Sequence, residues 1–162
     1  MGIDALARGA AEELGAEIEF KDDMYFLTVP ANDEDGDEDE YREIVSVFGG
    51  EEMGGIYVRN TFGYVTDDTD FRALLEVPSD ECYARVYLEE DDGGDYAVIE
   101  AGVPLEGLTP AVFAIVIQEV VDNSAAVRDI VPDDDDDSDD EDDDEDEDED
   151  EDEESDDEES EG

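Results

Sequence analysis

Residues 82–126, CYARVYLEEDDGGDYAVIEAGVPLEGLTPAVFAIVIQEVVDNSAA, decide the architecture. Cys82 to Leu88 and Tyr96 to Val103 are rich in β-branched and aromatic residues. They flank Asp92-Gly93-Gly94-Asp95, whose paired glycines suit a tight reversal, so two antiparallel strands joined as a hairpin are predicted. Thr109 then offers a hydroxyl cap and Pro110 a fixed φ at the first helical position, which predicts a helix running to about Ala126. Its run Ala111 to Ile117, AVFAIVI, is apolar on every side for two turns. Such a helix needs cover on more than one face, from a sheet beneath and from another element or a second subunit above.

Upstream, Ile3, Leu6, Ala7, Ala10, Ala11 and Leu14 recur at helical spacing, and Gly15 follows as a stop. Ala16 to Phe20 and Met24 to Val29 read as strands around a Lys21-Asp22-Asp23 turn, and Pro30 closes the second. Residues 31–40, ANDEDGDEDE, form an acidic loop. Tyr41 to Phe48 and Ile56 to Val65 read as two more strands, parted by the glycine-rich turn GGEEMGG from Gly49 to Gly55. Asp67 to Glu76 offers a cap at Asp67 or Asp68 and a Phe71, Leu74, Leu75 stripe, a short helix before Pro78. The predicted fold is α+β: an antiparallel sheet of five to six strands carrying an N-terminal helix, a short middle helix and a long C-terminal helix. About 130 residues suffice for one core, so residues 1–132 are read as a single domain.

The remaining 30 residues differ in kind. The chain has 162 residues, 59 acids against seven bases and a net charge of −52. Residues 133–162 hold 26 of those acids and no base, the rest being three serines and a glycine. Nothing there can be buried to offset ordering costs of about 1–2 kcal/mol per residue, so a disordered acidic tail is expected. The domain before it is itself acidic, with 33 acids and seven bases. That balance looks like the proteins of salt-in halophilic archaea, because at about 1 M salt the Debye length falls to about 3 Å and self-repulsion is screened.

Composition excludes much. Without histidine there is no imidazole-activated nucleophile, no His metal site and no His switch. Cys82 is the single cysteine, so no internal disulfide and no CxxC motif can form, which fits a reducing cytoplasm. No leader is read at the N-terminus, and the longest apolar run is far short of the ~20 residues that span a bilayer. Seven scattered bases cannot displace the counterions of nucleic acid, so neither nucleic acid nor membrane is an expected partner.

Candidate chemistry is sparse. Set against the calcium loop of an EF-hand, Gly36, Asp35 and Asp33 fit, but Ala31 and Arg42 stand where ligands are needed. GGEEMGG lacks the Lys-Ser or Lys-Thr of a phosphate loop and carries Glu51 and Glu52. Glu100 lies inside a strand on the face of Tyr96 and Val98, and is expected to be an ordinary strand carboxylate on an exposed or interface face. Cys82 has no base beside it. Tyr57, Phe62, Tyr64, Tyr83 and Tyr87 lie in predicted strands, where one sheet face can show aromatics to an extended peptide. No catalytic residue, cofactor or metal is expected.

The segments FRALLEVPSDECYARVYLE, YAVIEAGVPLEGL and TPAVFAIVIQEVVDNSAAVRDI, within residues 3–131, resemble the YbjN-like and type III secretion chaperone-like superfamily. The resemblance implies an interaction module without an active site, some of whose relatives are dimeric chaperones that hold an extended client segment. On that basis the expected partner is a protein or a second copy of the chain. The expected contact residues are Phe113, Val116, Ile117 and Val120 on the long helix, with Tyr83 and Tyr87 on the neighbouring strand. The alternative is an acidic-tail protein that sequesters or escorts basic proteins. Dilution from molar to millimolar salt should cost the domain structure, followed by far-ultraviolet circular dichroism; an unchanged spectrum contradicts salt adaptation.

Overall fold

The computed structural model describes residues 1–30, 42–78 and 83–131. In chain order the elements are α1 (Ile3–Leu14), β1 (Glu17–Lys21), β2 (Met24–Pro30), β3 (Arg42–Gly50), β4 (Gly55–Tyr64), α2 (Phe71–Glu76), β5 (Ala84–Asp91), β6 (Gly94–Pro104) and α3 (Pro110–Ile130). One antiparallel sheet runs in the order β1-β2-β3-β4-β6-β5. The α+β class and the three helices stand as the residue pattern predicts. The acidic loop, with its calcium test at Asp33, Asp35 and Gly36, lies outside the described residues, as do Cys82 and the tail.

Local chemistry explains the turns and helix ends. Asp22 and Asp23 both have positive φ, 53° and 63°, the conformation whose twist matches that of a two-residue hairpin. Gly15 ends α1 in the left-handed conformation, its N–H returning to carbonyls of the last turn. Thr109 caps α3, its hydroxyl accepting from the Val112 N–H at 3.3 Å. The short helix begins later than its expected cap at Asp67 or Asp68, because Thr66 and Thr69 close a turn on each other first. Asp70 takes the capping role instead, accepting from the Ala73 N–H at 3.0 Å. The long helix continues past Ala126 to Ile130, since Val127 is fully buried and the next residue, Arg128, reaches across to β3.

Helices α1 and α3 lie together on one face of the sheet. Alternate strand residues rise to meet them: Leu27 and Val29 from β2, Val45 and Val47 from β3, Ile56 and Val58 from β4, Ala97 and Ile99 from β6. The further cover that α3 needs comes from α1 of the same chain, which lies beside it on the sheet and presents Leu6, Ala7, Ala10 and Ala11. The two helices approach closely where α3 begins: a Cβ on Gly9 would stand 2.7 Å from the ring of Pro110. By length and a mean hydropathy of 1.3, α3 also meets the requirement for crossing a membrane. The longest-run criterion passes over it because Gln118 interrupts the apolar stretch. Here α3 is a core helix with eight buried residues.

Phe113 and Ile117 have no exposed surface. Phe113→Asp and Ile117→Asp should each cost several kcal/mol, because an unpaired charge would be buried. Urea unfolding at constant high salt reads this directly, and a midpoint equal to the parent's would contradict the buried-helix packing.

Candidate functional site

With both long helices on one side, the opposite face of the sheet has no described element over it. Strand alternation places Phe26, Phe48, Tyr57, Tyr87 and Tyr96 there, one from each of five strands. Phe48 and Tyr57 stack with centroids 5.5 Å apart, and Tyr96 meets Tyr64 edge to face at 6.3 Å. The Tyr57 ring lies against the Cα of Gly102, where an added Cβ would stand 2.7 Å from two ring carbons. Ile44, on the same face, is 59% exposed.

Between these rings sits a closed polar cluster built on Glu100. Its Oε2 accepts from Arg59 Nε at 3.0 Å, Arg59 Nη2 at 2.8 Å and the Tyr87 hydroxyl at 2.9 Å, while Oε1 accepts from Arg85 Nη2 at 3.0 Å. Arg59 Nη1 also donates to Glu89, which accepts from the Tyr96 hydroxyl at 2.6 Å. The Arg59 guanidinium lies over Phe48 at 5.2 Å and Tyr87 at 5.9 Å. Glu100 is thus buried, 4% exposed, and the expectation of an exposed strand carboxylate is corrected. Tyr96 and Val98 do share its face, but arginine and tyrosine side chains from the adjoining strands fold over it.

Burial alone would raise the Glu100 pKa; hydrogen bonds from Arg59, Arg85 and Tyr87 outweigh it and hold the carboxyl below its ordinary value. Burial, then the bond to Glu100, pushes the Tyr87 hydroxyl far above the usual tyrosine range, so it remains a donor.

A second cluster ties the helix layer to the other face. Glu43 is 2% exposed and is held by Arg128 through its two terminal nitrogens, Nη1 and Nη2, each donating to one carboxylate oxygen. Asn60 donates to Glu43 and to Ser124, each at 3.0 Å, and Ser124 donates to the Val120 carbonyl at 2.7 Å. Among the described residues no buried side-chain nitrogen or oxygen lacks a partner.

The register also sorts the molecule into two ends. Pro30 pairs with Arg42, Tyr64 with Tyr96, and the β5–β6 turn and the start of β1 lie at that same end. Arg128 bound to Glu43 brings the last turn of α3 there too. The chain therefore departs into residues 31–41, with seven acids, and into residues 132–162, with 26, from one acidic pole. The opposite end holds the β3–β4 turn, the end of β6 and the start of α3.

Of the expected contact residues, Phe113, Val116, Ile117 and Val120 are fully buried and form core; a partner meeting α3 would find Val112 and Ile115, 46% and 59% exposed. Tyr83 is exposed, its N–H donating to Glu119 of α3 at 2.8 Å, and Tyr87 belongs to the Glu100 cluster. Tyr57 shows on the open face, whereas Phe62 turns into the core beneath Arg128. A register shift between Thr61 and Tyr64 lets Tyr64 return to the side of Tyr96. GGEEMGG is a plain turn, and among the described residues no group of three or more His, Cys, Asp or Glu could hold a metal. Residue pattern alone passes over Arg59, Glu43 and Asn60; the available signal is a charge or amide interrupting an apolar strand run.

Two solved structures share this architecture. YbjN of E. coli, a candidate transcription regulator, aligns with a TM-score of 0.54 and 16% identity, covering 78% of this chain and 88% of its own. The type III secretion chaperone SycH of Yersinia pestis, solved in complex with a stable fragment of YscM2, aligns with a TM-score of 0.50 and 19% identity, covering 75% and 96%. At these identities the likeness shows the fold. No family model and no curated protein matches the chain.

Because its folded pKa is depressed, Glu100 contributes stability above its unfolded value of about 4.3, and that contribution is lost as pH falls through the folded value. Glu100→Gln should destabilise the domain by about 2–3 kcal/mol at pH 7, and the gap from the parent should narrow below pH ~4. Urea titrations of both proteins across that range provide the check; a gap independent of pH assigns the loss to packing alone.

Proposed function

We propose that the chain is a non-enzymatic protein-interaction module, cytoplasmic and salt-adapted, that holds an extended segment of a partner protein against the open face of its sheet. The observation that carries this reading is the aromatic row on that face, braced from below by the Glu100 cluster and lacking any described element above it. Ring side chains with two torsions supply contact area at low entropic cost. The outer edges of β1 and β5 pair with no described strand, and the main-chain groups of β1 and of β5 beyond Ala84 suit strand addition. SycH, whose fold this chain shares, was solved with a bound protein fragment. The chemistry of the face agrees with binding: the Glu100 carboxyl is ringed by donors and held ionised, the opposite of a group poised to take a proton near neutrality.

The acidic pole favours a second reading, in which the tail captures basic proteins and the domain is its carrier. Pull-downs from a high-salt lysate with the full chain, a 1–132 truncation and Ile44→Asp separate the two. The first reading expects one set of partners retained by the full chain and the truncation, and reduced at least tenfold for Ile44→Asp, because a charge then sits on the contact face. Retention by the full chain alone, of basic proteins released by added salt, supports the second.

A further inference from the structure

At the end of the open face away from the acidic pole, Tyr57, Tyr83 and Arg85 wall a groove of about 410 Å³ whose floor is Gly55 and Gly102. Among the described residues no carboxylate lines it, and Arg85 is the single charged group of its described wall. Its guanidinium carbon lies over the Tyr87 ring, 5.3 Å from the centroid, and its Nη2 donates to Glu100. Its side chain is nevertheless 70% exposed. Glu100 is shared with Arg59, which bonds its other oxygen, so Arg85 is oriented by this bond while, among the described residues, its Nε and Nη1 donate to no side chain. Tyr83, 60% exposed, stands beside it.

Resting on the reading of this face as a partner surface, we propose that the groove takes a segment of a different protein that places an Asp or Glu carboxylate against Arg85. An apolar or aromatic side chain of that segment would lie on Tyr57 and Tyr83. Charge complementarity selects this occupant. A basic segment would meet a like charge at Arg85, and the polyanionic tail, made of acids, serines and one glycine, has no apolar or aromatic side chain to lay on Tyr57 and Tyr83. An arginine fork already oriented by an aromatic face and a buried carboxylate loses little freedom when it binds a second carboxylate.

The test uses the full chain in about 1 M KCl, where the overall negative charge is screened, and the fluorescein-labelled peptide Val-Phe-Val-Asp-Val-Thr with its Asn and Lys counterparts. Anisotropy should show the Asp peptide binding about tenfold tighter than either. Arg85→Gln should abolish the preference, Arg85→Lys should restore part of it, and Tyr83→Ala should weaken all three peptides, with circular dichroism of each variant matching the parent. Preference for the Lys peptide, equal binding of the three, or a preference that survives Arg85→Gln overturns the proposal while leaving the open face a partner surface. Absence of any binding overturns it as well; the Ile44→Asp pull-down then decides separately whether the face binds partners at all. A change in oligomeric state on Arg85→Gln, without peptide binding, would assign the groove to a second copy and also overturn it.

Discussion

Two buried carboxylates, each neutralised by arginine, set the terms for everything else in this molecule. Glu100 on one side of the sheet and Glu43 on the other are almost fully removed from water, and either would be untenable alone in so acidic a chain. Arg59 and Arg85 serve the first, Arg128 the second. With six arginines in the chain, half are committed to these two groups. The other three, Arg8, Arg42 and Arg72, make exposed pairs worth about 0–1 kcal/mol each. The clusters also cross between elements: Arg128 fastens α3 to β3, and Arg59 joins β4 to β5 and β6. They fix the relative placement of parts that apolar packing alone would leave freer to slide.

This bracing lets the sheet carry its described helices on one side only. Leu6 and Phe113 belong to the layer in which α1 and α3 share one hydrophobic core, and the closeness of Gly9 to Pro110 makes that layer tight. The other face replaces a second helical layer with rings lying over a guanidinium. Such a surface is apolar enough to be recognised and still presents polar edges to water.

Periodic elements are legible from residues in order. Leu6, Ala7, Ala10 and Ala11 announce the buried stripe of α1, and Thr109-Pro110 marks where α3 starts, because each signal is local. The acidic glycine turn likewise announces the β5–β6 hairpin. What stays hidden is long-range. Arg59 and Glu100 are 41 residues apart and Glu43 and Arg128 are 85 apart, so nothing in either neighbourhood identifies the partner. The apolar surplus of α3 signals that cover is needed but not that α1 supplies it, which is why Phe113 and Ile117 read as contact residues in sequence and are core in the fold. The α2 cap moves to Asp70 because the Thr69 and Thr66 hydroxyls take the Thr66 and Asp68 N–H groups into a turn first, which leaves the helix to start one turn later.

Both acidic stretches outside the described residues, 31–41 and 132–162, join the domain at the end of the sheet away from the groove. The second of them begins just beyond the last helix. The net charge of the chain can therefore be halved, from −52 to −26, by a single cut after α3 that removes no described element of the fold.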